Sequence, residues 1–203
     1  MQHVYRIRGE QSSDAQSIQA LLRLSFPPSH AKRGIWALRT GGAIAGLCLV
    51  AERVAQATSE SPNQSPSQSP DKSPDKSPNA SPDQSPSDST GGLLGSIRYW
   101  EIRIAGTPSL VLGPLAVDPK VRGCGIGVAL VRQSLARAKS GQWQWCFVSA
   151  DPLYYLKFGF HLVKAGGLIL PEAIEAERQH ILALPAARGG GGMPPQPWQV
   201  EGV

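Results

Sequence analysis

The sequence predicts a mixed α/β domain, one sheet whose strands alternate with helices. Three observations carry this. Strand-like apolar runs at 44–52, 93–104, 108–117 and 143–149 alternate with segments whose apolar residues recur at helical spacing. A Ser-Pro tract separates the first two of these runs, and what remains outside it has ordinary globular composition. A chain of 203 residues suits one domain and is short for two.

Residues 4–8 alternate weakly and read as a short edge strand. Ser12 or Ser13 is placed to cap a helix in which Ala15, Ile18, Leu21, Leu22 and Phe26 share a face, and Pro27-Pro28 ends it. A weaker helical segment spans 29–39, closed by Gly41-Gly42. Residues 44–52 are continuously apolar, as a buried strand would be. The run 93–104 places Ser96, Arg98, Trp100 and Ile102 on one face and Ile97, Tyr99, Glu101 and Arg103 on the other, which predicts one covered and one partly wet face.

After the central strand at 108–117 come a turn at Asp118-Pro119 and a glycine-punctuated loop. Ile126, Ala129, Leu130, Leu135 and Ala138 then mark a helix that stops before Gly141. Residues 143–149 form a strand, and Asp151 with Pro152 opens a short helix to Lys157. Residues 160–164 and 168–170 read as a late strand region, 172–180 as a helical turn or two, and 198–200 as a last strand.

Between Ser59 and Thr90, 18 of 32 residues are Ser or Pro, and Ser-Pro recurs seven times with a period of four. Each proline removes a backbone donor and biases the preceding serine towards extended geometry. Ala80 is the tract's lone apolar residue, too little to offset the entropy of ordering it. The expectation is a single domain over 1–203, interrupted at 59–90 by a disordered low-complexity insertion between the second and third strands. Lengthening such a loop costs only about 0.6 kcal/mol per doubling.

The tract carries five acidic residues and two lysines, which leaves 18 Lys and Arg against 10 Asp and Glu elsewhere. That surplus favours an anionic partner, a small polyphosphate or a nucleic acid. No recognition helix, zinc spacing or aromatic-basic repeat supports a nucleic acid. Cys48, Cys124 and Cys146 have no metal-ligand spacing and no even count, so no metal is expected and a reducing cytoplasm is the default. No 18-residue apolar stretch and no leader pattern suggests a membrane. A homodimer is left open.

The most informative stretch runs from Leu115 to Gly127. A strand enters a turn with Gly123, Gly125 and Gly127 and passes straight into a helix. Such a turn offers unobstructed N–H donors and the positive end of a helix dipole to an anion, with Arg122 adding charge. A Walker loop would need Gly-Lys-Ser/Thr where this chain has Gly127-Val128-Ala129. A dinucleotide fingerprint would want an acid near position 147, where Cys146-Phe147-Val148 stands.

In these residues the chain resembles the GCN5-related N-acetyltransferase superfamily, and within it the small prokaryotic proteins predicted to be N-acetyltransferases. Arg122, Gly125 and Gly127 match the superfamily's Arg/Gln-x-x-Gly-x-Gly/Ala pattern, behind the strand residues Gly113 to Pro119. Residues 151–160, Asp-Pro-Leu-Tyr-Tyr-Leu-Lys-Phe-Gly-Phe, resemble its late tyrosine-helix-Gly-Phe block. The resemblance spans most of 4–170 outside the tract.

It implies an acyl-CoA N-acyltransferase fold: a mostly antiparallel sheet split in a V between two parallel strands, here 108–117 and 143–149, with helices on both faces. It implies acetyl-CoA as cosubstrate, held at the pyrophosphate by Arg122, Gly123, Cys124, Gly125, Ile126 and Gly127, and along the pantetheine arm by the main chain of Leu115, Ala116 and Val117. Asp151 stands where many relatives have a cofactor-holding asparagine. Tyr155, four residues before Gly159, is the implied general acid, and the Val117 amide the oxyanion donor. No carboxylate lies in 110–117, so Glu101 is only a weak general-base candidate, with water relay as the alternative. Phe26, Trp36, Tyr99 and Trp100 are candidates for an acceptor wall, with core packing expected for at least two of them. The expected activity is direct acetyl transfer to a primary amine of a small molecule or exposed peptide. The alternative is a non-catalytic acyl-CoA-binding module tethered by the Ser-Pro tract.

Overall fold

The computed structural model describes residues 5–28, 34–54, 92–188 and 196–203. The Ser-Pro tract lies outside the described residues. Strands β1 (Tyr5–Gly9), β2 (Leu49–Arg53), β3 (Leu93–Ile104), β4 (Thr107–Val117), β5 (Trp145–Ser149), β6 (His161–Leu162), β7 (Leu168–Ile169), β8 (Gln179–Ala183) and β9 (Trp198–Gly202) alternate with helices α1 (Ala15–Ser25), α2 (Ile126–Ala138), α3 (Pro152–Leu156) and α4 (Pro185–Arg188). The sheet order is β1-β2-β3-β4-β5-β8-β6, with β9 bridging β3 and β7.

Within the main path every pairing is antiparallel except β4 with β5. That parallel contact spans only Ser109–Val111 against Trp145–Phe147. Beyond Val111 the two strands diverge, and the V-shaped split that the family resemblance implies opens there. Its cause lies in β4. Ile97 pairs with Leu115 but Tyr99 with Leu112, so β4 carries an extra residue at Gly113-Pro114. A bulge bends its strand and re-aims the residues beyond it.

Helices cover both faces. Ile126, Leu130, Val131, Leu135 and Ala138 of α2 join Ile97, Tyr99, Leu110, Leu112 and Cys146 in one core cluster. Close approach of α2 depends on Gly95 of β3, where a Cβ would stand 2.9 Å from Leu130 Cδ1 and 3.0 Å from Ile126 Cγ2. On the opposite face, a 3-10 turn over Gly34–Leu38 packs Ile35 and Leu38 onto Trp100, Ile102, Val111 and Phe147. Ile18 of α1 covers Val50 and Leu93 on a smaller cluster.

Several expectations are corrected. The second strand begins at Leu49 rather than 44, because Leu47 and Cys48 turn back to donate to the Ile44 carbonyl. Ser12 and Ser13 do not cap α1: they belong to a 3-10 turn at whose end Asp14 accepts the Gln11 N–H at 2.8 Å. Within 29–39 only Gly34–Leu38 is helical among the described residues, and it is 3-10. Residues 172–180 contain a single 3-10 turn, Ala176–Arg178, and then enter β8 between β5 and β6. The partly wet face expected of β3 is confined to its end, where Glu101 is half-buried and Arg103 exposed, while Ile97 and Tyr99 on the same face are buried. Arg103 is its one exposed residue, since α2 packs on one face of the strand and the 3-10 turn at Gly34–Leu38 on the other.

Candidate active site

A cavity of about 770 Å³ occupies the split between β4 and β5. One end is built from backbone. β4 runs into Asp118, whose carboxylate accepts the Lys120 N–H at 2.9 Å and holds a 3-10 turn over Pro119–Val121. The chain then needs two left-handed residues, Gly123 at φ +85° and Gly125 at φ +81°, to turn into α2. A side chain there costs about 1–2 kcal/mol of strain. The first amides of α2, at Ile126, Gly127 and Val128, have no carbonyl one turn back within the helix and open on the cavity.

Gly127 is required for a different reason. Its φ is ordinary, but a Cβ there would meet the Tyr154 hydroxyl at 2.7 Å. Tyr154 is half-buried, with the Lys157 ammonium 4.1 Å from its ring centroid. Its ring therefore reaches across from α3 to the start of α2.

The edge of β4 supplies the cavity wall. The Asp118 amide donates to the Leu94 carbonyl, so the strand's two-residue period turns the Ala116 main chain towards β3 as well. The main chain of Leu115 and Val117 faces the open edge, and the Val117 carbonyl accepts from Ser25 Oγ at 3.2 Å. Leu115 and Val117 line the cavity and Ala116 does not.

The other end, at the apex of the V, is built from side chains. Tyr155 is 5 % exposed and meets Phe160 edge-on, with centroids 5.5 Å apart. Burial pushes its hydroxyl well above the ordinary tyrosine range, so it stays protonated at neutral pH. Phe26, Ile35 and Arg39 close the wall opposite.

Of the residues singled out from sequence, Leu115, Val117, Arg122, Gly123, Gly125, Ile126, Gly127, Asp151 and Tyr155 all line this cavity. Three do not. Cys124 is exposed on the outside of the turn, with its amide spent on the Val121 carbonyl at 3.4 Å. Ala116 faces β3. Glu101 stands outside the cavity, accepting from Trp143 Nε1 at 3.4 Å, because its partner Leu110 precedes the divergence. Asp151 acts as the N-cap of α3 through the Leu153 amide at 3.1 Å. Of the four wall candidates Phe26 lines the cavity, Trp36 packs against the cluster of Trp100 outside it, and two are core, as expected for at least two of them. Tyr99 is fully buried beneath α2, hydrogen-bonded to Ser134 Oγ at 2.8 Å, and Trp100 packs in the opposite cluster.

Sequence reasoning missed Ser25, Arg39, Lys157 and Arg178 as cavity residues. Arg39 comes three positions after Trp36, a spacing that hints at stacking but not at a place in the cleft.

The family model of the acetyltransferase (GNAT) domain matches residues 87–162. Among solved structures, the chain is similar to a GNAT family N-acetyltransferase (YhbS) from Escherichia coli in complex with CoA. The TM-score is 0.63 at 24% identity, over 99% of this chain and 91% of that one. It is also similar to a GNAT family acetyltransferase from Brucella melitensis in complex with acetyl-CoA, at TM-score 0.53 and 24% identity, over 97% and 95% of the two chains. No curated protein matches in a sequence comparison. The fold is that of the acyl-CoA N-acyltransferases.

Proposed function

We propose that the chain is an acetyl-CoA-dependent N-acetyltransferase, moving acetyl by direct attack in a ternary complex onto a primary amine of a small molecule or exposed peptide. The observation that carries this is the cavity itself. It joins an amide-rich helix start at one end to a buried, protonated tyrosine at the other, along a free strand edge.

The residues present fit acetyl-CoA. Gly123 and Gly125 keep the turn's amides bare, Gly127 makes room beside them for the Tyr154 hydroxyl, and Arg122 adds charge for a pyrophosphate. Leu115 and Val117 offer main-chain partners to an amide-bearing arm. The bound cosubstrate would supply the acetyl group already activated as a thioester. Tyr155 is assigned as the acid that protonates the departing sulfur, and the Val117 amide as the donor to the oxygen on which charge develops. Glu101 is removed from the general base's role by its position. Asp151 lines the cavity but is engaged as a helix cap, so we assign the amine's proton to a water relay.

The second reading, a non-catalytic acyl-CoA-binding module, is favoured by the lack of an uncommitted carboxylate in the cavity among the described residues. Incubating the full chain with acetyl-CoA and a panel of amines, polyamines, amino acids and peptides, while following free thiol, separates the two. Turnover with any acceptor class supports transfer, whereas saturable acetyl-CoA binding with no thiol release across the panel supports the module. We also place the 59–90 tract as an interruption of one domain, since β2 and β3 pair directly on either side. A variant lacking these residues should keep its acetyl-CoA affinity, and losing it would refute that placement.

A further inference from the structure

Arg39 is a cation at the apex of the V whose guanidinium has no hydrogen-bond acceptor among the described residues. It sits just after the 3-10 turn Gly34–Leu38, and its guanidinium carbon lies 4.1 Å from the Trp36 ring centroid and 5.0 Å from that of Trp100. Its Nε and Nη1 are shut off from solvent and donate to nothing. The third nitrogen, Nη2, lies 3.3 Å from where a Cβ on Gly113 would stand, and the residue lines the cavity. Burial lowers its pKa to about 10, which still leaves a full charge at neutral pH.

A cation so largely enclosed is normally paired. The two indole faces offset part of the charge, but they do not accept the N–H bonds that lie in the guanidinium plane. Nη2, the guanidinium nitrogen that is not shut off, is the donor left open to a carboxylate in the cavity, through a charge-assisted bond. The missing partner is therefore an anion brought by a ligand.

Position decides which ligand. Gly113 lies two residues past the last β4–β5 pair, whereas the glycine turn comes after the far end of β4. Between them run four residues of strand, roughly 13 Å at about 3.3 Å per residue. A pyrophosphate on the turn is out of reach of Arg39, which faces the place where acyl group and acceptor meet. The cavity also carries Arg122, Lys157 and Arg178 against the single acid Asp151 among its described lining residues. A polyamine would enter against like charges, whereas an amine that carries its own carboxylate would be drawn in and gripped.

We infer that Arg39 is the anion-recognising residue of the acceptor subsite, and that the acceptor is a small amine bearing a carboxylate, of the amino-acid type. This rests on the acetyltransferase reading of the cleft. Its test is binding rather than turnover, so the two fail separately. N-acetylglycine, N-acetylleucine and N-acetylphenylalanine, each beside its amide, are titrated into the full chain saturated with CoA. At least one acid should bind roughly tenfold or more tightly than its amide, as the loss of a charge-assisted hydrogen bond predicts. R39Q should abolish that difference and R39K restore part of it, with acetyl-CoA affinity within about twofold of the wild type in both variants. Equal affinities for acid and amide in all three wild-type pairs would overturn the inference whether or not the variants fold. So would a preference that survives in R39Q. Failure of the chain to bind or turn over acetyl-CoA would instead sink the transferase reading.

Discussion

The two ends of the cleft are made of different materials. At the glycine turn, the groups aimed inward are main-chain amides, held by two left-handed glycines and the cap at Asp118. At the apex they are side chains, Tyr155 from α3 and Arg39 from beyond a 3-10 turn, brought together by packing across distant parts of the chain. An end built from backbone should tolerate changes of side chain and fail on changes of conformation. An end built from side chains should do the reverse.

The largest effect is expected at the apex. Tyr155→Phe removes one hydroxyl from a ring packed against Phe158 and Phe160 and leaves that packing intact. If Tyr155 donates the proton to sulfur, kcat should fall by about 10²-fold or more. Acetyl-CoA affinity, measured by calorimetry, should stay within about twofold. An unchanged kcat across the pH range would remove Tyr155 from the chemistry and leave it a core aromatic.

The turn should show the opposite signature. Gly125→Ala adds a Cβ where nothing lies within 4 Å, so its cost is conformational, at φ +81°. Strain of about 1–2 kcal/mol predicts a loss in acetyl-CoA affinity of roughly tenfold, with kcat at saturation little changed. A kcat collapse at unchanged affinity would show that the turn is not where the cosubstrate is held.

A smaller effect sharpens the same contrast, since Gly127→Ala fails by crowding rather than by strain. The opposing atom is the tip of the Tyr154 side chain, 2.7 Å from the new Cβ, and it can swing aside. A few-fold loss of acetyl-CoA affinity is expected, and Tyr154→Phe in the same chain should recover most of it. The double-mutant cycle should therefore be non-additive. Additive losses would mean that Gly127 is needed for contact with the cosubstrate, not for room beside Tyr154.

This difference in material also explains what could be read from the sequence. Glycines at 123 and 125 announce a turn because positive φ is a local property, and Asp118-Pro119 announces its own cap. The block at 151–160 places Tyr155 on a helix whose cap and first proline are adjacent letters. Arg39 has no local signature. Its role arises because a bulge in β4, over seventy residues later, opens the sheet beneath it. Glu101 was misplaced for the same reason, because the chain order does not reveal where β4 and β5 part. β8 was missed because Gln179 and His180 are both buried there, and polar residues under cover carry no alternation.

The smallest effect on the cleft should come from Asp14, which tests whether stability and site can be moved apart. Its carboxylate takes two hydrogen bonds from Arg8, at 2.7 and 2.8 Å, and one from the Gln11 amide, tying β1 to the start of α1. The Arg8 guanidinium, ahead of the opposing effect of burial, holds its pKa below the ordinary value of 3.8. A depressed carboxylate contributes stability that is complete above the unfolded value and disappears as pH falls through the folded one. Asp14→Asn keeps an acceptor for Gln11 but loses the charge, so it should cost about 1–2 kcal/mol at pH 7 by denaturant melts. The gap between the two proteins should narrow below about pH 4 and close as Asp14 protonates. Glu52 remains paired with Arg6 and Arg8 in both proteins, so its own acid loss cancels in the comparison. A gap that persists unchanged at low pH would assign the cost to lost packing rather than charge. A shift in acetyl-CoA affinity at pH 7 would show that α1, which places Ser25 against Val117, transmits strain into the backbone end of the cleft.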